Sequence, residues 1–348
     1  MKKLMLIIVA IACTSITSAQ NNTYNVTNKA VFTKTGSGTI TNFKVYMPIP
    51  QTNEYQTINN VTLSDGEAVV DNNYDNKFLY VEKNNLPSNP WEVTSTFNIT
   101  PKTVNIDFSQ ITEIKEYDQN STAYKRHLGN RGEYINTSNS TIMQIGDQLW
   151  NESSNVLEYA RKCYEYVATH YNYIRGGWRT LAQILQAGGG ECGDFSTLVV
   201  NLLRYKNIPS RHNICLRLDT DNSYHVWVDF YLEDYGWIPL DATYKHDFPN
   251  GDYFGRYAGD CIVVAQDMFY DVNGFNLEIC QTYSYYYWCN GTVNISDSHK
   301  VKNNGPTSIH PIPLSETDNA PRYNLQGQKV DANYKGVIIS KGKKHIIR

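Results

Sequence analysis

The chain has 348 residues, 41% of them hydrophobic and 19% charged, with a formal net charge of −3. This composition belongs to a folded protein and excludes a largely disordered one. The mildly acidic balance gives no general electrostatic case for nucleic acid or anionic lipid as the main partner. Tyrosine is abundant, at 27 residues, beside 6 tryptophans, a usage that suits strands and aromatic-lined surfaces.

Residues 1–19 begin with Lys2 and Lys3, continue through an apolar run from Leu4 to Ala12, and end Thr17-Ser18-Ala19. This is the pattern of a secretory leader, and its apolar run of about nine residues is far below the roughly 20 that span a bilayer. No other segment is long and apolar enough to span. The expected location is therefore exported: periplasm, outer-membrane surface or secreted. Lipidation of Cys13 after Ala10-Ile11-Ala12 is the alternative to cleavage after Ala19. Beyond the leader stand Cys163, Cys192, Cys215, Cys261, Cys280 and Cys289, in a compartment that permits disulfides. Cys280 and Cys289 are close enough in sequence to pair around a short loop. No CxxC or Cys/His spacing resembles a zinc site.

Residues 20–115 alternate polar and apolar side chains between Gly, Asn-Asn and Pro punctuation, as in Thr39–Tyr46, Phe78–Val81 and Trp91–Ile99. Short strands between turn residues predict an antiparallel β-sandwich, with a scaffold role. Residues 116–290 are read as a separate α+β domain. There Val156, Leu157, Ala160, Cys163, Tyr164 and Val167 form a helical stripe, with Asn155 and Glu158 at capping-box spacing before it. A second helix comes after Gly188-Gly189-Gly190, carries Phe195, Leu198, Val199, Leu202 and Leu203 on one face, and ends at Asn207 and Pro209. Strands are read at 213–218, 224–232 and 237–241; in the second, Val226, Val228, Phe230 and Leu232 alternate with His225, Trp227, Asp229 and Tyr231. Residues 291–320, rich in Asn, Ser, Thr and Pro, read as a linker, and 321–348 as a small β module of two or three strands.

The chemistry is concentrated in Gly190-Glu191-Cys192-Gly193-Asp194 and in the two strands that carry His225 and Asp241. Cys192 stands after three glycines at the first turn of a helix, where the dipole and free backbone N–H groups favour a thiolate and can hold an oxyanion. His225 lies on a strand, off its apolar stripe. Asp241 ends the next strand, and a turn centred on residue 233 would set it directly opposite His225. In such a triad Cys192 attacks, His225 moves the proton and Asp241 fixes the imidazole tautomer. Asp194 suits the helix dipole or a buried hydrogen bond, and a charged Glu191 close to the thiol would disfavour its ionisation.

The blocks Gly-Glu-Cys192-Gly-Asp, Tyr-His225-Val-Trp-Val-Asp and Gly-Trp-Ile-Pro-Leu-Asp241-Ala-Thr, in this order and spacing, resemble the transglutaminase-like superfamily. Arg204–Arg211 is similar to the helix exit behind its catalytic cysteine. Tyr46-Met47-Pro48-Ile49-Pro50 with Gln56 resembles the β domain that precedes this core in bacterial members. The resemblance covers roughly residues 40–265. It implies a papain-like core, a Cys192–His225–Asp241 triad, a thioacyl-enzyme intermediate, and no metal or organic cofactor. Gln186 is the oxyanion-hole candidate, because papain-like peptidases use a similarly spaced Gln; the alternative is a solvated polar residue at a helix end. Trp178 and Trp227 are candidates for the cleft wall. The segment from Tyr323 to Arg348 is similar to C-terminal modules of secreted Bacteroidetes proteins, including sorting domains.

The expected function is a secreted thiol peptidase or amidase on peptide or carboxamide bonds, with peptidoglycan stem peptides among the compatible substrates. Hydrolysis is favoured over crosslinking, because nothing in the sequence suggests a calcium-regulated crosslinker. The alternative is a non-catalytic cell-surface module that binds a glycan or protein.

Overall fold

The computed structural model describes residues 22–306, and backbone strands within 322–347. The leader, Cys13 and residues 307–321 lie outside the described residues. The first part of the chain forms strands β1 (Tyr24–Thr35), β2 (Thr39–Ile49), β3 (Gln56–Leu63), β4 (Glu67–Val70), β5 (Lys77–Lys83) and β6 (Trp91–Pro101). Their alternating residues meet in one interior, where Phe32 and Val93 pack with Phe43, Val45 and Leu79.

Helices α1 (Ser140–Asn151), α2 (Val156–His170), α3 (Leu181–Ala187) and α4 (Cys192–Tyr205) come next. The Asn155 side chain accepts from Glu158 N at 2.9 Å and caps α2. The reciprocal bond falls one residue earlier than capping-box spacing predicts, because the Glu158 carboxylate accepts from Ser154 N at 2.8 Å. Strands β7 (Ser210–Arg217), β8 (Tyr224–Leu232) and β9 (Gly236–Leu240), helix α5 (Ala242–Asp247) and strand β10 (Cys261–Gln266) complete this part. The antiparallel sheet runs β9-β8-β7-β10. Phe195, Leu198, Val199 and Leu202 of α4 pack against Val228, Phe230 and Leu232 of β8.

Strands β11 (Ser284–Asn290) and β12 (Asn294–Pro306) then return to the sandwich. Its two sheets run β12-β1-β6-β3 and β11-β2-β5-β4. Two boundaries read from the sequence are thereby corrected. Residues 284–290 close the sandwich rather than the α+β domain, and 294–306 are a strand rather than linker. Both strands lie at sheet edges, where one side pairs and much of the other meets water, so a polar composition is compatible with pairing. The expected Cys280–Cys289 pairing is also absent: both thiols are free, Cys280 buried beside Tyr46 O and Cys289 exposed at the far end of β11, opposite Ile40.

Up to Gly305, the sandwich and the helical part form one compact unit. The Gln56 side chain pairs with the backbone of β10, donating to Val263 O at 2.8 Å and accepting from Val263 N at 2.9 Å. The Tyr55 hydroxyl donates to the buried Asp229 at 2.5 Å, and Arg211 holds the other carboxylate oxygen at 2.9 and 3.0 Å. The second unit has the four strands Arg322–Asn324, Lys329–Val330, Gly336–Ser340 and Lys343–Ile347 in one antiparallel sheet, more than the two or three expected.

Candidate active site

Cys192 opens α4, half-buried and unpaired, at the edge of a cleft of about 390 Å³. Two glycines shape the entry. A Cβ on Gly190 would stand 2.1 Å from the Asp194 carboxylate, and one on Gly193 2.7 Å from the Trp178 ring, so neither position accepts a side chain without displacement. Asp194 is fully buried. Its carboxylate accepts from Glu191 N at 2.9 Å, Arg179 N at 2.8 Å and Arg179 Nη1 at 2.7 Å. Burial lifts this carboxyl above its ordinary range, against the pull of those N–H groups and the guanidinium. Glu191 Oε1 accepts from Gly176 N at 2.6 Å. The two acids therefore bind the 175–179 loop to the first turn of α4, and Trp178, on that loop, lines the cleft.

His225 projects from β8 and is buried. Its Nε2 bonds Asp241 Oδ2 at 2.6 Å, and the ring lies near the Cys192 thiol. With Nε2 committed to the carboxylate, Nδ1 is the nitrogen left for the thiol. Burial alone would lower the His225 pKa. The charge and hydrogen bond of Asp241, followed by the Cys192 contact, outweigh it and raise the value to about 10. Asp241 is fixed by a second bond, since its Oδ1 accepts from Tyr244 N at 2.9 Å and caps α5. Tyr244 stacks on the imidazole, centroids 4.7 Å apart and planes 14° from parallel.

The hairpin register differs from direct opposition. Leu232 pairs with Gly236 and Val228 with Leu240, which centres the turn on residue 234. Asp241 thus reaches His225 diagonally, two positions along the strand and on the same face.

Trp227 is not at the cleft wall, and Gln186 takes the solvated alternative rather than the oxyanion hole. Gln186 is exposed on α3, outside the residues lining the cleft, because the last turn of that helix directs it to solvent. Trp227 is 3% exposed and packs between Tyr55 and Tyr257, beside Cys215 and Cys261. Both faces of β8 are covered, one by α4 and the other by the sandwich, so leaving the apolar stripe does not mean facing a cleft. Residues that the sequence reading missed are Tyr173, Arg175, Tyr224 and Gln281, all in the lining, together with Tyr244. Gln281 donates from Nε2 to Cys215 O at 3.1 Å and to His225 O at 3.4 Å. Only Tyr244 had a local signal, at helical spacing after Asp241. Among the described residues, no group of three or more His, Cys, Asp and Glu side chains stands together as metal ligands.

Residues 143–242 match the model of the transglutaminase-like superfamily. An uncharacterized protein of Haemophilus influenzae is 23% identical over 296 residues, which cover 70% of this chain and 77% of that protein. A candidate cysteine protease from Cytophaga hutchinsonii superimposes with a TM-score of 0.58 at 14% identity, over 85% of this chain and 95% of that one. The two share their fold.

Proposed function

We propose that this protein is an exported thiol enzyme that transfers acyl groups from peptide or carboxamide bonds, with water as the favoured acceptor. The observation that supports it most is the imidazole bonded at 2.6 Å to a buried carboxylate, near a half-buried thiol at a helix N-terminus beside an open cleft. In this reading Cys192 Sγ attacks the carbonyl carbon, and its proton resides on His225 Nδ1. First-turn N–H groups of α4, which have no intrahelical acceptor, stabilise the oxyanion. His225 then protonates the leaving amine, and the thioester remains on Cys192. Water, deprotonated by the same imidazole, resolves it. Asp241 keeps the ring oriented and favours its cationic form. Extracytoplasmic peptides, peptidoglycan stem peptides among them, are the proposed substrates. The rival reading as a binding module predicts a sealed or bonded cysteine; Cys192 is neither.

The test is the rate of Cys192 alkylation by iodoacetamide against pH, in the wild type and His225→Ala. Fast alkylation that persists well below pH 7 and is slowed by His225→Ala is expected. Labelling that tracks an ordinary thiol, near 8.5, with no effect of His225→Ala, would reject the mechanism.

A further inference from the structure

Arg175 is the one cationic side chain among the residues that line the cleft. Asp194, at its base, is neutralised by Arg179 at 2.7 Å. Glu191 has one oxygen occupied by Gly176 N. The wall formed by Asn222, Ser223, Tyr224 and Gln281 is polar and uncharged. Arg175 lines the same cleft, is exposed, and makes no ion pair among the described residues.

The root of this side chain is fixed beside the nucleophile. Strand residues 172–173 run parallel to 189–190, with Tyr173 opposite Gly190. Ile174 N, one residue before Arg175, continues the pairing to Gly190 O at 2.9 Å, two residues before Cys192. On its other side Gly176 N is held by Glu191, and Arg175 O accepts from Arg179 Nη2 at 3.0 Å. A side chain whose backbone is bonded on both sides to residues flanking the thiol has a restricted reach. A guanidinium presents a planar fork of donors that fits a carboxylate with two parallel hydrogen bonds.

We infer that Arg175 is a specificity-determining residue that binds a carboxylate of the substrate, placed beside the acyl group taken by Cys192. This rests on the thiol-enzyme reading above and adds a substrate class to it: peptides with an acidic side chain or a free C-terminus next to the reacting carbonyl.

Iodoacetate and iodoacetamide alkylate by the same displacement and differ in one carboxylate. Their rates at Cys192, measured by mass spectrometry of the peptide that carries it, give a ratio that reports on a carboxylate site without a known substrate. The exposed Cys289 serves as internal control. Arg175→Ala is expected to lower the iodoacetate/iodoacetamide ratio at Cys192 about tenfold, as loss of a charged hydrogen bond does. Arg175→Lys should keep part of it, and the iodoacetamide rate and its pH profile should stay as in the wild type. An unchanged ratio in Arg175→Ala, with a wild-type iodoacetamide profile, overturns the carboxylate site and leaves the thiol chemistry standing. Slow labelling by both reagents in the wild type rejects the thiol-enzyme reading instead. Protection of Cys192 by amidated peptides containing Glu, against Gln counterparts, and by neutral peptides with a free C-terminus distinguishes the two carboxylate sources.

Discussion

Asp194→Asn tests whether the 175–179 loop is held by one buried carboxylate. Oδ2 accepts from Arg179 Nη1 at 2.7 Å and Glu191 N at 2.9 Å, and Oδ1 from Arg179 N at 2.8 Å. An asparagine keeps its oxygen at one of these positions and turns an NH₂ toward the donors at the other. Each buried donor left unsatisfied costs about 1–3 kcal/mol, and removing one partner of a buried ion pair about 3–5 kcal/mol. The Arg179 side chain keeps 17% exposure and recovers some hydration, so the expected loss is about 2–5 kcal/mol. Urea unfolding at pH 7, read by tryptophan fluorescence, measures it. The same variant should release Trp178 from Gly193, and iodoacetamide labelling of Cys192 should lose its wild-type pH profile. A loss below about 1 kcal/mol with an unchanged labelling profile would mean that the loop is held by other contacts.

Three further outcomes are expected. Asp241→Asn should lower turnover about 10³–10⁴-fold while the fold persists. It should also remove a pH dependence: His225, raised from 6.5 to about 10, binds more protons folded than unfolded, so its stabilisation is complete below 6.5 and is lost as pH rises toward about 10. Unfolding free energies at pH 6 and pH 10 should therefore converge in the variant relative to the wild type, and equal pH slopes would refute the coupling. Gly193→Ala should cost about 1–3 kcal/mol and displace the Trp178 ring, since its Cβ would sit 2.7 Å from that ring; unchanged near-UV circular dichroism would contradict this. Tyr55→Phe should cost about 1–3 kcal/mol by removing a donor from buried Asp229, and should destabilise sandwich and core together in a single urea transition.

The features legible in the sequence were local. The stripe of α2, the glycine-led entry of α4 and the alternation of β8 depend on residues within one element, and they placed Cys192, His225 and Asp241 within two strands and a helix turn. The failures were long-range. Trp227 shares a face with His225, but Tyr55, 172 positions earlier in the chain, buries it; nothing near 227 signals that. Gln186 was placed by analogy of spacing, and a single helical turn sends it to solvent. The one-residue error in the hairpin centre arose because Asp241 is a helix cap as well as the partner of His225, so it lies beyond the end of its strand. Strand β12 looked like linker because an edge strand can carry polar residues toward solvent.

The returning strand changes the role of the sandwich. Its sequence contains no cluster of titratable groups, and a scaffold role was the natural expectation. Yet β12 holds the β7–β8 hairpin that forms one cleft wall: Asn222 Oδ1 accepts from Val301 N at 2.8 Å, Asp221 Oδ1 from Asn303 N at 2.9 Å, and the Tyr224 hydroxyl meets His299 Nδ1 at 3.2 Å. From the other direction, Tyr55 and Gln56 bond to the sheet that carries His225. The opposite wall is bound to α4 by Asp194 and Glu191. One wall thus depends on contacts within about 20 residues of chain, and the other on a strand about 80 residues downstream. Loop closure over the longer distance costs little extra, but the contact exists only once the sandwich has closed. Formation of the complete cleft is therefore coupled to the sandwich, although the reacting groups belong to the core.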